Sequence, residues 1–198
     1  VTTRENSSVT ADQIFFDART AVRFQEEHID SSVVDSIYDT IKFGPTAMNG
    51  VPLRLTVVES AAERDALIER MNPGNREKTA SAPILVVVSA NIDWHETLTR
   101  TAPFMENPVE MFKDAEQMRR SSARTNGALQ MGYFILAARA TGLDVAPMTG
   151  YDAAAVTEHF LPSGREELLA VIALGHRDVE LDFPRMPRLA AEEAVRHA

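Results

Sequence analysis

The sequence predicts an α+β fold with helices flanking a central mixed or antiparallel sheet, and three observations carry that expectation. ILVVVSA (84–90) and LLAVIALG (168–175) are continuous apolar runs, the pattern of strands buried on both faces. Residues 121–140 carry Gly127, Ala128, Gly132, Ala137 and Ala138 on several sides, which predicts a central, closely packed helix ending just before Gly142. The remaining segments alternate helical and strand-like patterns, with no repeat, low-complexity tract or domain boundary. One domain over 11–198 is expected, after a polar leader (1–10) that reads as mobile.

Each element has its own signal. Ile14, Phe15, Ala18, Ala21 and Val22 recur at helical spacing and predict a short helix over 12–24. Asp30 or Ser31 can cap a second helix with the stripe Val33, Val34, Ile37, Tyr38 and Ile41, which Gly44-Pro45 stops. LRLTVV (53–58) is strand-like, and Ser60 with Glu63 forms a capping box opening a helix through Leu67, Ile68 and Met71. Pro73-Gly74 reads as a turn before the first buried run. Residues 91–120, with Trp94, Phe104, Met105 and Phe112 among charges and prolines, read as a helical excursion from the core. VAPMTGYD (145–152) reads as a loop leading into a short helix and the second buried run. The tail, 183–198, has no globular pattern of its own and must lie against something.

Composition excludes several functions. The net charge is -9, from 29 acidic and 20 basic residues, and no basic cluster offsets it, so nucleic acid is not an expected partner. The absence of cysteine removes disulfides, thiolate metal sites and a cysteine nucleophile. No apolar run reaches membrane-spanning length and the leader has no apolar signal core, so a cytoplasmic protein without membrane attachment is expected. The nine glycines form neither GxGxxG nor a phosphate loop, and GxSxG is absent. The histidines at 28, 95, 159, 176 and 197 lack the HxxxH spacing, so no metal is expected. What does recur is a set of basic, amide and hydroxyl groups at element ends: DARTAVR, PTAMN, Asn75 with Lys78, PMTG and PRMPR.

In order, FDART (16–20), KFGPTAMNGVPLR (42–54), GNREKTASAP (74–83), ARATGLDVAPMTGYD (138–152) and MPRLAAEEA (186–194) resemble the flavin-dependent nitroreductase family. Within it they are most similar to the malonic semialdehyde reductase branch of pyrimidine degradation. The resemblance implies an intertwined homodimer binding FMN at the subunit interface, with the tail packing on the flavin site or the partner subunit. It implies hydride transfer from NADH or NADPH to FMN and on to a small-molecule acceptor. Arg19, Thr20 and Arg185 or Arg188 align with the phosphate contacts, a dianion suiting guanidinium partners. The family's further basic position falls on Val22 in the preferred spacing, with Arg23 as the alternative. Pro45, Thr46, Ala47 and Asn49 align with the cradle of the ring or ribityl chain. Asn75 aligns with the amide at the pyrimidine edge, and Lys78 with the cation that meets negative charge on reduction. Met148, Thr149 and Gly150 align with the segment beside flavin N5, where Thr149 replaces a glutamate of some relatives. Trp94, Phe104 and Phe112 are the candidates for substrate contact, with a place in the core or at a dimer interface as the equal alternative for each.

Overall fold

A computed structural model describes residues 9–198; residues 1–8 of the expected leader lie outside the described residues. Four strands, β1 (Leu53–Val57), β2 (Ile84–Asn91), β3 (Asp144–Met148) and β4 (Glu166–Gly175), form a sheet in the order β1-β2-β4-β3. Every pairing is antiparallel, which settles the sheet type left open above. The helices are α1 (Val33–Ile41), α2 (Ala61–Arg70), α3 (Pro73–Ser81), α4 (Leu98–Thr101), α5 (Pro108–Phe112), α6 (Glu116–Ala140), α7 (Ala153–Phe160) and α8 (Ala191–Ala194).

The two central strands carry the continuous apolar runs 84–88 and 168–174 because both faces of the sheet are covered there. Alternate side chains of β2 and β4 point to opposite faces. Val86, Val88, Ile172 and Leu174 pack with Val34, Ile37 and Phe134 of α1 and α6. Leu85, Val87, Val171 and Ala173 pack with Leu67 of α2 and Val156 of α7. The long helix α6 crosses all four strands and starts five residues earlier than its small-residue pattern implies. Gly127 lets it do so closely: an added Cβ there would lie 2.7 Å from the Ala90 Cβ. Beyond the sheet, Ile92, Trp94, Leu98, Ala102 and Phe112 form a satellite core under the excursion.

Three local expectations are corrected. The helix expected over 12–24 is only a π-helical turn, Asp12–Phe16. Thr20 then bridges Val145 and Phe24 bridges Arg177, so the apolar residues of that stretch serve two different structures. Ala21 and Phe24 fill the core, while Phe15 and Phe16 stay exposed. Pro73-Gly74 does not turn the chain away but opens α3, because proline at the first helical position gives up an N–H that the helix does not use. The stretch 145–152 contains β3 where a loop was expected; Pro147 is tolerated because β3 is an edge strand whose one strand partner is β4, the other edge carrying the Thr20–Val145 bridge. The tail residues 183–198 are exposed throughout.

Candidate functional site

The basic residues from opposite ends of the chain converge. Arg19 follows the π-helical turn and donates from Nη1 to the carbonyls of Phe16 (2.9 Å) and Ala18 (3.0 Å). Thr20 is fixed beside β3 by its bridge to Val145. From the tail, Arg185 Nη2 donates to the carbonyls of Phe15 (2.9 Å), Phe16 and Ala18 (3.2 Å). Arg188 donates only to its neighbours, the Met186 and Pro187 carbonyls. Arg19, Thr20, Arg185 and Arg188 line one groove of about 510 Å³ with Val22 and Arg139. The one carboxylate in its lining, Asp182, is engaged by Arg177 Nε at 2.8 Å. The arginines therefore share one lining that holds no free carboxylate, an arrangement suited to a multiply charged anion.

The second group sits at the end of β3. Asn75 and Lys78 lie one turn apart on α3. Asn75 Nδ2 donates to the Gly150 carbonyl at 3.0 Å, which also accepts from the Asn72 N–H at 3.0 Å. A Cβ on residue 150 would come within 2.6 Å of Asn75 Nδ2, so this approach requires glycine. The amide oxygen of Asn75 accepts no hydrogen bond among the described residues. Lys78 is half-buried, burial lowers its pKa, and it makes no ion pair among the described residues. Thr149 is exposed, whereas Met148 is buried beneath it against Thr79, so Met148 can offer a ligand only its backbone. Residues 20–24 connect the groove to this pair: Thr20 lies on β3, and Arg23 reaches Glu77 of α3 at 4.0 Å.

The PTAMN segment is elsewhere. It precedes β1, the edge strand opposite β3, and lines a separate cavity of about 820 Å³ through Pro45, Thr46 and Asn49. Two strands, β2 and β4, separate β1 from β3, three inter-strand spacings or roughly 14 Å. The segment is strained and pinned. Met48, Asn49 and Val51 have φ of 56°, 54° and 42°, a region that penalises β-branched Val51 in particular. Asn126 Oδ1 accepts from the Ala47 N–H at 2.8 Å, Tyr133 donates to the Pro45 carbonyl at 3.1 Å, and Asn49 donates to the Thr101 carbonyl at 2.6 Å. Strain of this kind persists only where the surroundings over-determine it.

The three aromatic candidates separate. Trp94 is 1% exposed, donates from Nε1 to the Arg119 carbonyl at 3.0 Å and packs on Phe112 with ring centroids 5.3 Å apart. Trp94 and Phe112 therefore belong to the satellite core, the alternative open to them, and do not line a substrate pocket as their candidacy for substrate contact required. Trp94 still shapes the site indirectly, since its ring would meet a Cβ on Gly50 at 2.9 Å. Phe104, 81% exposed, faces solvent. Arg139, Asn126 and Tyr133 went unflagged in the sequence. All three lie on α6, where only the order of the packing reveals that their side chains meet loops distant in sequence.

The nitroreductase family model ("Nitroreductase family") matches residues 17–176. A Streptomyces griseus protein named "Putative NADH dehydrogenase/NAD(P)H nitroreductase" is 41% identical over 184 residues, covering 93% of each chain. A Ralstonia nicotianae protein of the same printed description is 39% identical, covering 93% of this chain and 94% of its own. Among solved structures, a nitroreductase family protein from Streptococcus pneumoniae superposes with a TM-score of 0.79 at 21% identity, covering 91% of this chain and 96% of the other. A "putative nitroreductase in complex with FMN" from Exiguobacterium sibiricum gives 0.80 at 16% identity, covering 96% and 98%. At those identities the likeness concerns the fold. With its four-stranded antiparallel sheet, its helices and a match over most of its length, the chain belongs to the nitroreductase family.

Proposed function

We propose that the protein is an FMN-dependent NAD(P)H oxidoreductase whose acceptor is a small carbonyl compound such as malonic semialdehyde, reduced to 3-hydroxypropionate. The observation that carries the cofactor reading is the convergence of Arg19, Arg185 and Arg188 on one groove that lacks a free carboxylate. FMN, when held there, would supply hydride transfer between NAD(P)H and the acceptor carbonyl, with one proton completing the alcohol. The groove arginines would hold the phosphate through charge-assisted hydrogen bonds. Asn75 would present its amide oxygen to a ring N–H. Lys78, half-buried and unpaired among the described residues, would stabilise negative charge on the reduced ring, an effect strengthened by its partly desolvated position. Gly150 leaves the backbone room to approach. Thr149 supplies no carboxylate, so the proton is expected from solvent or the substrate pocket.

Pro45, Thr46, Ala47 and Asn49 lie at the opposite sheet edge from this groove, and that separation supports a homodimer in which one subunit's PTAMN segment completes its partner's flavin site. Among the described residues no helix is long and apolar enough to cross a membrane. A generic nitro- or quinone-reductase with the same cofactor is the second reading, favoured by the printed names of the relatives. Steady-state NAD(P)H oxidation by the FMN-loaded protein separates the two. Turnover dependent on malonic semialdehyde supports the carbonyl assignment, and turnover with nitroaromatics or quinones alone overturns it. A flavin that binds but is not reduced by either nicotinamide would make the protein a flavin carrier.

A further inference from the structure

We infer that Arg139 is an additional anion-binding residue of the arginine groove, reaching it from the last turn of α6 and giving the site its preference for a phosphorylated flavin. The inference rests on the cofactor reading above. Val22 lines the groove with an apolar side chain on one wall, and Arg139 stands in the same lining. Its Nη1 donates to the Ile14 carbonyl at 3.0 Å, which orients the guanidinium plane. Its Nε is buried with no hydrogen-bond partner among the described residues, the kind of orphaned donor that a native structure rarely leaves without a ligand or water. Burial is what chiefly lowers the pKa of Arg139; the attraction of Asp144 opposes it and a smaller repulsion from Arg185 adds to it. Asp144 is itself engaged by Arg177 Nη1 at 2.5 Å.

Four guanidinium groups, Arg19, Arg139, Arg185 and Arg188, thus share a groove whose one lining carboxylate is already paired. Mutual repulsion makes that costly unless an anion sits among them. Carbonyl hydrogen bonds orient each arginine but cancel none of the charge. A phosphate monoester, a dianion with three terminal oxygens, offers enough acceptors for several forked donors at once. Riboflavin has the same ring and ribityl chain but no phosphate, so the pair of flavins isolates what Arg139 does.

The experiment titrates FMN and riboflavin into the flavin-free full-length protein, wild type and Arg139→Met, following flavin fluorescence. Loss of one charge-assisted contact should weaken FMN by about tenfold or more and leave riboflavin within about twofold, with Arg139→Lys recovering part of the loss. Equal weakening of both flavins would assign Arg139 a purely structural role as the staple of residues 12–16, and an unchanged FMN preference would overturn the inference directly. Inorganic phosphate supplies an arm independent of the ring: it should raise the melting temperature of wild type more than that of Arg139→Met. Equal shifts would contradict the anion site even in a protein that bound neither flavin, while the absence of flavin binding to wild type would by itself sink only the cofactor reading.

Discussion

Gly150→Ala perturbs the tightest contact in the candidate site. The added Cβ would stand 2.6 Å from Asn75 Nδ2, about 0.8 Å inside ordinary van der Waals contact at 3.4 Å, and 3.3 Å from Asn72 Nδ2. Residue 150 does not need a positive φ, so the cost is steric and not one of backbone strain. The obstructing atom ends a side chain that can rotate, so the relief is a swung-out Asn75 and loss of its 3.0 Å bond to the Gly150 carbonyl. That bond is worth about 1 kcal/mol net. For a chain of 198 residues this corresponds to roughly 2–4 °C in melting temperature. Asn75→Ala removes the same bond and the obstruction together. Thermal melts of Gly150→Ala, Asn75→Ala and the double variant form a cycle with an expected coupling of about 1 kcal/mol, the double variant being no less stable than Asn75→Ala alone. FMN affinity should fall alongside in both single variants. Additive destabilisation would refute the claim that glycine is required there by Asn75.

Three further perturbations test other parts of the site and its scaffold. Lys78→Ala should lower the reduction potential of bound FMN and slow its reduction by NAD(P)H; an unchanged potential in a redox titration would remove Lys78 from its role. Arg185→Ala should weaken FMN more than Arg188→Ala, because Arg185 is held across the groove by the Phe15, Phe16 and Ala18 carbonyls while Arg188 contacts only its neighbours; equilibrium titration of both variants decides it. On α6, Gly127→Ala should cost about 1–3 kcal/mol by driving a Cβ into Ala90, whereas Gly132→Ala, with nothing within 4 Å, should stabilise by about 0.5–1 kcal/mol. Denaturant melts giving both variants the same sign would contradict the packing of α6 on the sheet.

The elements whose residues face one environment were readable from the chain. ILVVVSA and LLAVIALG announce buried strands because both of their faces meet helices, and Ser60 caps α2 by accepting from the Glu63 N–H at 3.2 Å. Glu63, however, turns its side chain to His159 Nε2 at 2.7 Å, so only half of the expected capping box forms. Misreadings arose where one residue type has two uses. Proline punctuates turns, yet Pro73 starts a helix and Pro147 sits in an edge strand, and the choice depends on which hydrogen bonds the tertiary structure demands. Residues 12–24 mix apolar side chains for the core with others left on the surface, so their spacing imitated a helix. In the site, Arg19, Thr20, Arg185 and Arg188 do share a groove, and Asn75 does meet Gly150. Arg139 carried no local signal, since it differs from any arginine ending a helix only by what folds over it. Trp94 carried a misleading one, because an aromatic among charges looks exposed until the satellite core closes around it.

Whether the arginine groove and the Asn75–Lys78 pair hold a redox-active FMN is decided by anaerobic absorbance titration. Protein reconstituted with FMN is mixed with NADH or NADPH in the absence of oxygen, followed by malonic semialdehyde. The oxidised-flavin spectrum should be lost with one of the nicotinamides and return on adding the aldehyde, one aldehyde consumed per flavin reoxidised. A protein that takes up no FMN, or whose bound FMN stays oxidised with both nicotinamides, would contradict the cofactor reading.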